Sequence, residues 1–158
     1  MIKKLILWVL VLACAVTIFL FSAQKAEDSG RASEGFTYKI IEFFDFKDSI
    51  SDSRAMEIAI SINGIVRKLA HFAIYALLGF LIALLVNEYN TKYQNIVLYS
   101  VISSFLYSCS DEFHQYFVPG RSAQVSDVIL DTFGALCGVL FALAIIVFVK
   151  KHNKKHTV

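Results

Sequence analysis

Residues 69–86 read "LAHFAIYALLGFLIALLV". Apart from His71 and Tyr75, every residue in the run is aliphatic, phenylalanine or glycine. Such a segment suits either the core of a large soluble domain or the hydrocarbon of a bilayer, which takes about 20 apolar residues to cross. Periodicity alone does not separate a buried helix from a spanning one over so uniform a run, so length and surroundings decide. The chain has 158 residues, of which 57% are hydrophobic and 18% charged. Its mean hydropathy is +0.62, whereas a soluble domain carries roughly a quarter charged residues. The bilayer is the better host.

Three further runs repeat the pattern. "LILWVLVLACAVTIFLFS" (5–22) follows Lys3 and Lys4. A cleaved signal peptide is its competitor. Cleavage after Ser22, Ala23 or Ala26 would place Leu20, Phe21 or Gln24 where a small residue is wanted, and the chain stays apolar after Cys14, where a lipoprotein tether would turn polar. A retained helix is expected. The run from Tyr93 to about Cys109 is rich in Ser and Tyr, and the last, 127–149, is uncharged from Thr132 onward. The expectation is therefore one all-α membrane domain over 1–158, with four transmembrane helices at about 5–22, 69–86, 93–109 and 127–149. An amphipathic extracytoplasmic segment occupies 23–68, and 150–158 form a cytoplasmic tail. Within 23–68, "YKIIEFFDF" (38–46) reads as an interfacial helix, and "AMEIAISINGIV" (55–66) as an extension of the second span, with a plausible break at Asn63-Gly64.

Charge sets the orientation. Lys3 and Lys4 precede the first run, Lys92 lies between the second and third, and Lys150, Lys151, Lys154 and Lys155 follow the fourth. Glu88 is the lone acid in those three segments. The positive-inside rule puts them, and both termini, in the cytoplasm of a multi-pass membrane protein. The net charge of +2 gives no reason to expect a nucleic-acid partner.

"SCSDEFHQYFVPGR" (108–121) then falls on the outer side, and it is dense in ionisable groups. Asp111, His114 and Gln115 stand at i, i+3, i+4, with Glu112 beside them. Arg67, His71 and Tyr75 stand at i, i+4, i+8 at the outer end of the second span, with Lys68 adjacent. Asp127 and Asp131 stand at i, i+4 at the outer end of the fourth. Pro119 and Gly120 suit the centre of a type II turn. Three helices thus carry polar faces to one level, and charges at membrane depth cost about 2.5–3.5 kcal/mol each on insertion scales. A shared hydrated cavity solves this, with Arg67, Lys68 and Arg121 compensating Asp111, Glu112, Asp127 and Asp131. The competing role is purely structural. Interhelical hydrogen bonds contribute only about 0.6 kcal/mol on average in membranes, a modest return for so many ionisable groups.

Other features read as packing. Cys14, Cys109 and Cys137 show no paired spacing and behave as small hydrophobes. Gly134 and Gly138 form a GxxxG suited to close helix contact. His152 and His156 sit among lysines that suit anionic headgroups.

"FSAQ" (21–24), "RKLAHFAIYALLGFL" (67–81) and "SDEFHQYFVPGRSAQVSDVILDTFGALCG" (110–138) resemble the VanZ-like family of small bacterial membrane proteins. The family's signature positions fall on Gln24, Arg67, Lys68, His71, Tyr75, Asp111, Glu112, His114, Gln115, Pro119, Gly120, Arg121, Asp127, Asp131 and Gly134. The resemblance implies a cell-envelope protein associated with antibiotic resistance, namely resistance to the glycopeptide teicoplanin.

Three functions follow as expectations. The first is a non-enzymatic protein whose outward cavity binds an amphiphilic or lipid-linked anionic ligand, such as a lipid-linked cell-wall precursor or a lipoglycopeptide. Its ligand-binding residues would be Arg67, Lys68, His71, Tyr75, Asp111, Glu112, His114, Gln115, Arg121, Asp127 and Asp131. The second is an intramembrane enzyme acting on a phosphate-bearing lipid, with His71 or His114 as nucleophile or base and Asp111 or Asp131 orienting it. No cofactor is required, although Asp111, Glu112, Asp127 and Asp131 would suit a hard divalent cation. The third is a transporter subunit, a homo-oligomer joined through Gly134 and Gly138. No inverted repeat supports it.

Overall fold

The computed structural model describes residues 1–45 and 50–155. Phe46 of the expected interfacial stretch and His156 of the tail lie outside them. Five helices follow in order: α1 (Ile2–Ser22), α2 (Ala26–Phe44), α3 (Asp52–Asn87), α4 (Tyr93–Gln115) and α5 (Val125–Lys155). No strand occurs among the described residues. α1, α3 and α5 are each long and apolar enough to cross a membrane. α4 has the length but carries Ser100, Ser104, Ser108 and the Asp111–Glu112 pair on one buried side. Its composition alone does not make it a span.

α3 is the central element and packs on each of the other helices, most extensively on α5. Its 36 residues reach about 54 Å at 1.5 Å per residue, well beyond a hydrocarbon core. The Asn63-Gly64 pair does not break it. Asn63 donates from Nδ2 to Glu34 Oε1 at 2.8 Å and touches Ser33. An amide engaged by a neighbouring helix does not compete for its own backbone, which is how Asn usually ends a helix. The segment 52–68 is thus a continuation of the second apolar run, with α2 laid along it. Phe36, Phe43 and Phe44 of α2 are exposed.

Glycines set the α3–α5 contact. A methyl group added at Gly138 would lie 1.8 Å from the Ala76 carbonyl oxygen, and one at Gly134 2.5 Å from that of Phe72. One at Gly79 would lie 2.3 Å from that of Ala135. Backbones this close gain dispersion contacts that larger side chains would forbid. The GxxxG is consumed inside the chain, so it offers no free surface for the oligomer contact considered above. By contrast, nothing lies within 4 Å of a methyl group added at Gly35, in the middle of α2. Gly35→Ala is expected to stabilise the fold by about 0.5–1 kcal/mol, seen as a raised thermal unfolding midpoint in detergent.

The two ends of the bundle differ. At one, Lys3 pairs with Glu88 at 2.5 Å, Trp8 Nε1 donates to Tyr89 Oη at 3.2 Å, and Lys150 donates to Asn87 at 3.2 Å. Lys4 lies 4.3 Å above the Tyr89 ring. Tryptophan, tyrosine and lysine at one level make the belt expected at a membrane–water boundary. Between the ends, Leu12, Leu20, Phe141 and Phe148 are more than half exposed. So broad an apolar surface is suited to lipid rather than to water. At the opposite end the ionisable residues gather.

Candidate functional site: a charged cavity over buried carboxylates

The site begins with small residues on α4. Ser100, Ser104 and Ser108 are fully buried at four-residue intervals, so one face of α4 lies against its neighbours. One turn further, that face presents Asp111, Glu112 and Gln115, all less than a tenth exposed. On α5 the i, i+4 pair brings Asp127 to the rim and Asp131, with no exposed surface, beneath it. The turn after α4 follows type II logic: Arg121 N donates to the Val118 carbonyl at 3.1 Å and Gly120 takes φ +78°.

Hydrogen bonds then fix each group. Ser22 Oγ, at the last residue of α1, donates to Asp111 Oδ2 at 2.8 Å. Gln115 Nε2 donates to Asp111 Oδ2 at 3.1 Å and to Glu112 Oε1 at 3.2 Å. The Gln124 backbone N–H donates to Glu112 Oε2 at 2.9 Å. Ser108 Oγ donates to Asp131 Oδ2 at 3.2 Å, and His71 Nδ1 stands 3.9 Å from the same oxygen. Arg121 spends its fork on neutral oxygens. Nε donates to the Gln24 carbonyl and Nη2 to that of Phe21, both at 2.9 Å, while Nη1 donates to Gln115 Oε1 at 3.1 Å. Lys68 pairs with Asp127 at 2.8 Å.

These groups surround a cavity of about 180 Å³. Arg67, Lys68, His71, Glu112, Gln115, Arg121, Asp127 and Asp131 line it. Arg67 is half-buried in its wall and has no hydrogen-bond or ion-pair partner among the described residues. Burial first, then the Arg67 charge, lower the pKa of Arg121, with Asp111 and Glu112 acting in the opposite sense. A guanidinium stays protonated regardless. Three cationic groups, Arg67, Lys68 and Arg121, therefore share one small space with the carboxylates of Glu112, Asp127 and Asp131, and of the two guanidiniums only Arg121 is committed to hydrogen bonds.

Three expected site residues do not line the cavity. Tyr75 is fully buried beneath the site, clustered with Cys14, Ile18, Leu78 and Leu81. The His114 ring stacks on Phe19 at 4.6 Å and does not line the cavity. Asp111 lies behind the wall, held by Ser22 and Gln115. Of the four carboxylates weighed for a cation, Glu112 and Asp127 are already engaged, by Gln115 and Gln124 and by Lys68. His71, Asp111 and Asp131 instead bring one potential ligand atom each within 4.8 Å of one another. Sequence reasoning missed Ser22, Ser108 and Gln124. The four-residue spacing of the buried serines was the available signal for Ser108; a single hydroxyl ending an apolar run gave little for Ser22.

An all-helical chain with three apolar spanning-length helices, a lipid-suited surface and an aromatic-lysine belt is a membrane protein. The family model described as VanZ/LLP1 matches residues 7–148, and the chain belongs to that family. No curated protein and no solved structure matches it.

Proposed function

We propose that the cavity binds the anionic head group of an amphiphilic, lipid-linked ligand at the outer face of the bacterial cytoplasmic membrane. Such binding would alter sensitivity to glycopeptides such as teicoplanin, in line with the family. The proposal takes α4 as a fourth span. Its 23 residues cover about 34 Å, and it runs from the lysine end, where Lys150 sits over Tyr93, to the polar end at Asp111. With lysines inside, both termini are cytoplasmic and the cavity opens outward. The observation that carries the proposal is Arg67. A half-buried guanidinium without a partner among the described residues, facing a second guanidinium, makes a site that an anion completes. Phosphate oxygens suit it, while the apolar flanks of the helices accommodate a lipid tail.

The test is direct. Wild-type protein in nanodiscs is titrated with undecaprenyl phosphate and with undecaprenol, and binding is followed by native mass spectrometry. The phosphate form is expected to bind and the alcohol not. Arg67→Ala is expected to weaken binding about 10- to 100-fold, the worth of one charge-assisted hydrogen bond. Equal binding of both lipids, or no effect of Arg67→Ala, overturns the proposal.

The His71–Asp131 approach supports a second reading, an enzyme acting on the same lipid class. An imidazole held beside a carboxylate at a cavity wall is the arrangement of a general base. Release of inorganic phosphate or a changed lipid mass in the same titration identifies it.

A further inference from the structure

Asp111 and Asp131 are buried to 3% and 0% exposure, yet neither pairs with a lysine or arginine among the described residues. Arg121 is committed to Phe21, Gln24 and Gln115, and Lys68 to Asp127. Each carboxylate is steadied at Oδ2 by a serine hydroxyl, Ser22 for Asp111 and Ser108 for Asp131. Each leaves Oδ1 buried with no hydrogen-bond partner. An unsatisfied buried carboxylate oxygen is expensive, and two at one place from two different helices point to a missing cation. The imidazole of His71, from a third helix, completes the set. With ligand atoms within 4.8 Å of one another, small side-chain shifts would let one ion reach all three at ordinary metal–ligand distances of about 2.0–2.5 Å. The serines then hold the positions of outer partners that orient metal ligands.

We propose that His71, Asp111 and Asp131 form a binding site for one divalent transition-metal ion at the base of the cavity. One imidazole with two carboxylates suits manganese or zinc better than the all-oxygen sets preferred by calcium and magnesium. The remaining coordination positions face the cavity, where His71 and Asp131 are part of the lining. The set differs from the all-carboxylate group that spacing suggested, because both oxygens of Glu112 are hydrogen-bonded and Asp127 is paired with Lys68, whereas Asp111 and Asp131 each keep Oδ1 unpartnered. The proposal does not rest on the lipid-binding one. It concerns the metal alone, and its readouts are metal binding and metal-dependent stability rather than lipid binding.

Full-length protein in detergent, stripped with chelator, is titrated with Mn²⁺ and Zn²⁺ by equilibrium dialysis. One ion per chain is expected. Bound Mn²⁺ is expected to show nitrogen coupling in pulsed electron paramagnetic resonance, and His71→Ala to abolish it. His71→Ala and Asp131→Asn are each expected to weaken binding more than about tenfold, and Ser108→Ala about tenfold, as for an outer partner. Thermal unfolding separates a metal site from a structural cluster. Metal raises the midpoint of the wild type but not that of Asp131→Asn, and metal-free Asp131→Asn is at least as stable as metal-free wild type. Absence of stoichiometric binding by both ions overturns the proposal. So does unchanged affinity in both ligand variants, or absent nitrogen coupling.

Discussion

Gly138→Val is expected to leave no monodisperse folded protein after extraction. Gly138 is the tightest of the glycines between α3 and α5: an added methyl group would stand 1.8 Å from the Ala76 carbonyl oxygen and 3.0 Å from the Phe80 nitrogen. Both obstacles are backbone, which cannot rotate aside as a long side chain can. The helices would have to separate, and the separation would propagate to Gly79 and Gly134 in the same interface. Overpacking in a tight core costs about 1–3 kcal/mol and more where backbone must move; here about 3 kcal/mol or more is expected. Size-exclusion chromatography and thermal unfolding in mild detergent check it, with Gly35→Ala as the helical-glycine control. A Gly138→Val protein with the wild-type elution profile and midpoint would mean that α3 and α5 do not meet there. It would also detach the site from its scaffold, because His71 and Asp131 are brought together by that same contact.

The membrane character was legible because it needs only length and composition, and the lysine asymmetry is equally plain in the chain. Convergence of Arg67, His71, Asp111 and Asp131 was legible from four-residue spacing at helix ends. The finer assignments depended on neighbours that spacing does not specify. Asp111 precedes both His114 and Gln115, yet residues at i+3 and i+4 lie on either side of i, about 100° apart. Gln115 turned toward Arg121 and His114 toward Phe19. Tyr75 shares the face of His71, but a face that starts in the cavity continues one turn deeper into the apolar core. Asn63-Gly64 was a reasonable break by local propensity. Tertiary hydrogen bonds from α2 overrode it, as packing routinely overrides propensity.

Arg121 yields the second large effect, and its conservative replacement is the informative one. Its three nitrogens donate to Phe21 and Gln24 around the end of α1 and to Gln115 at the end of α4. Gln115 in turn holds Asp111 and Glu112. One planar fork therefore ties α1, α4 and the Pro119-Gly120 turn into a single unit. Arg121→Ala removes three charge-assisted hydrogen bonds, worth about 1.5–3 kcal/mol each when shielded. Partial exposure screens them, so a total near ~3 kcal/mol is expected. Arg121→Lys keeps the charge but not the geometry, since an ammonium cannot reach three divergent acceptors as a guanidinium does. Both variants are expected to lower the thermal midpoint by similar amounts. The ammonium of the lysine variant would still carry a positive charge to the cavity, so Arg121→Lys is expected to retain more affinity for undecaprenyl phosphate than Arg121→Ala does. Stability and binding are thereby separated within one position. An Arg121→Lys protein as stable as wild type would reduce Arg121 to a point charge at the rim. The carbonyls of Phe21 and Gln24 would then need to be satisfied by water, and the cavity wall would no longer depend on that residue's shape.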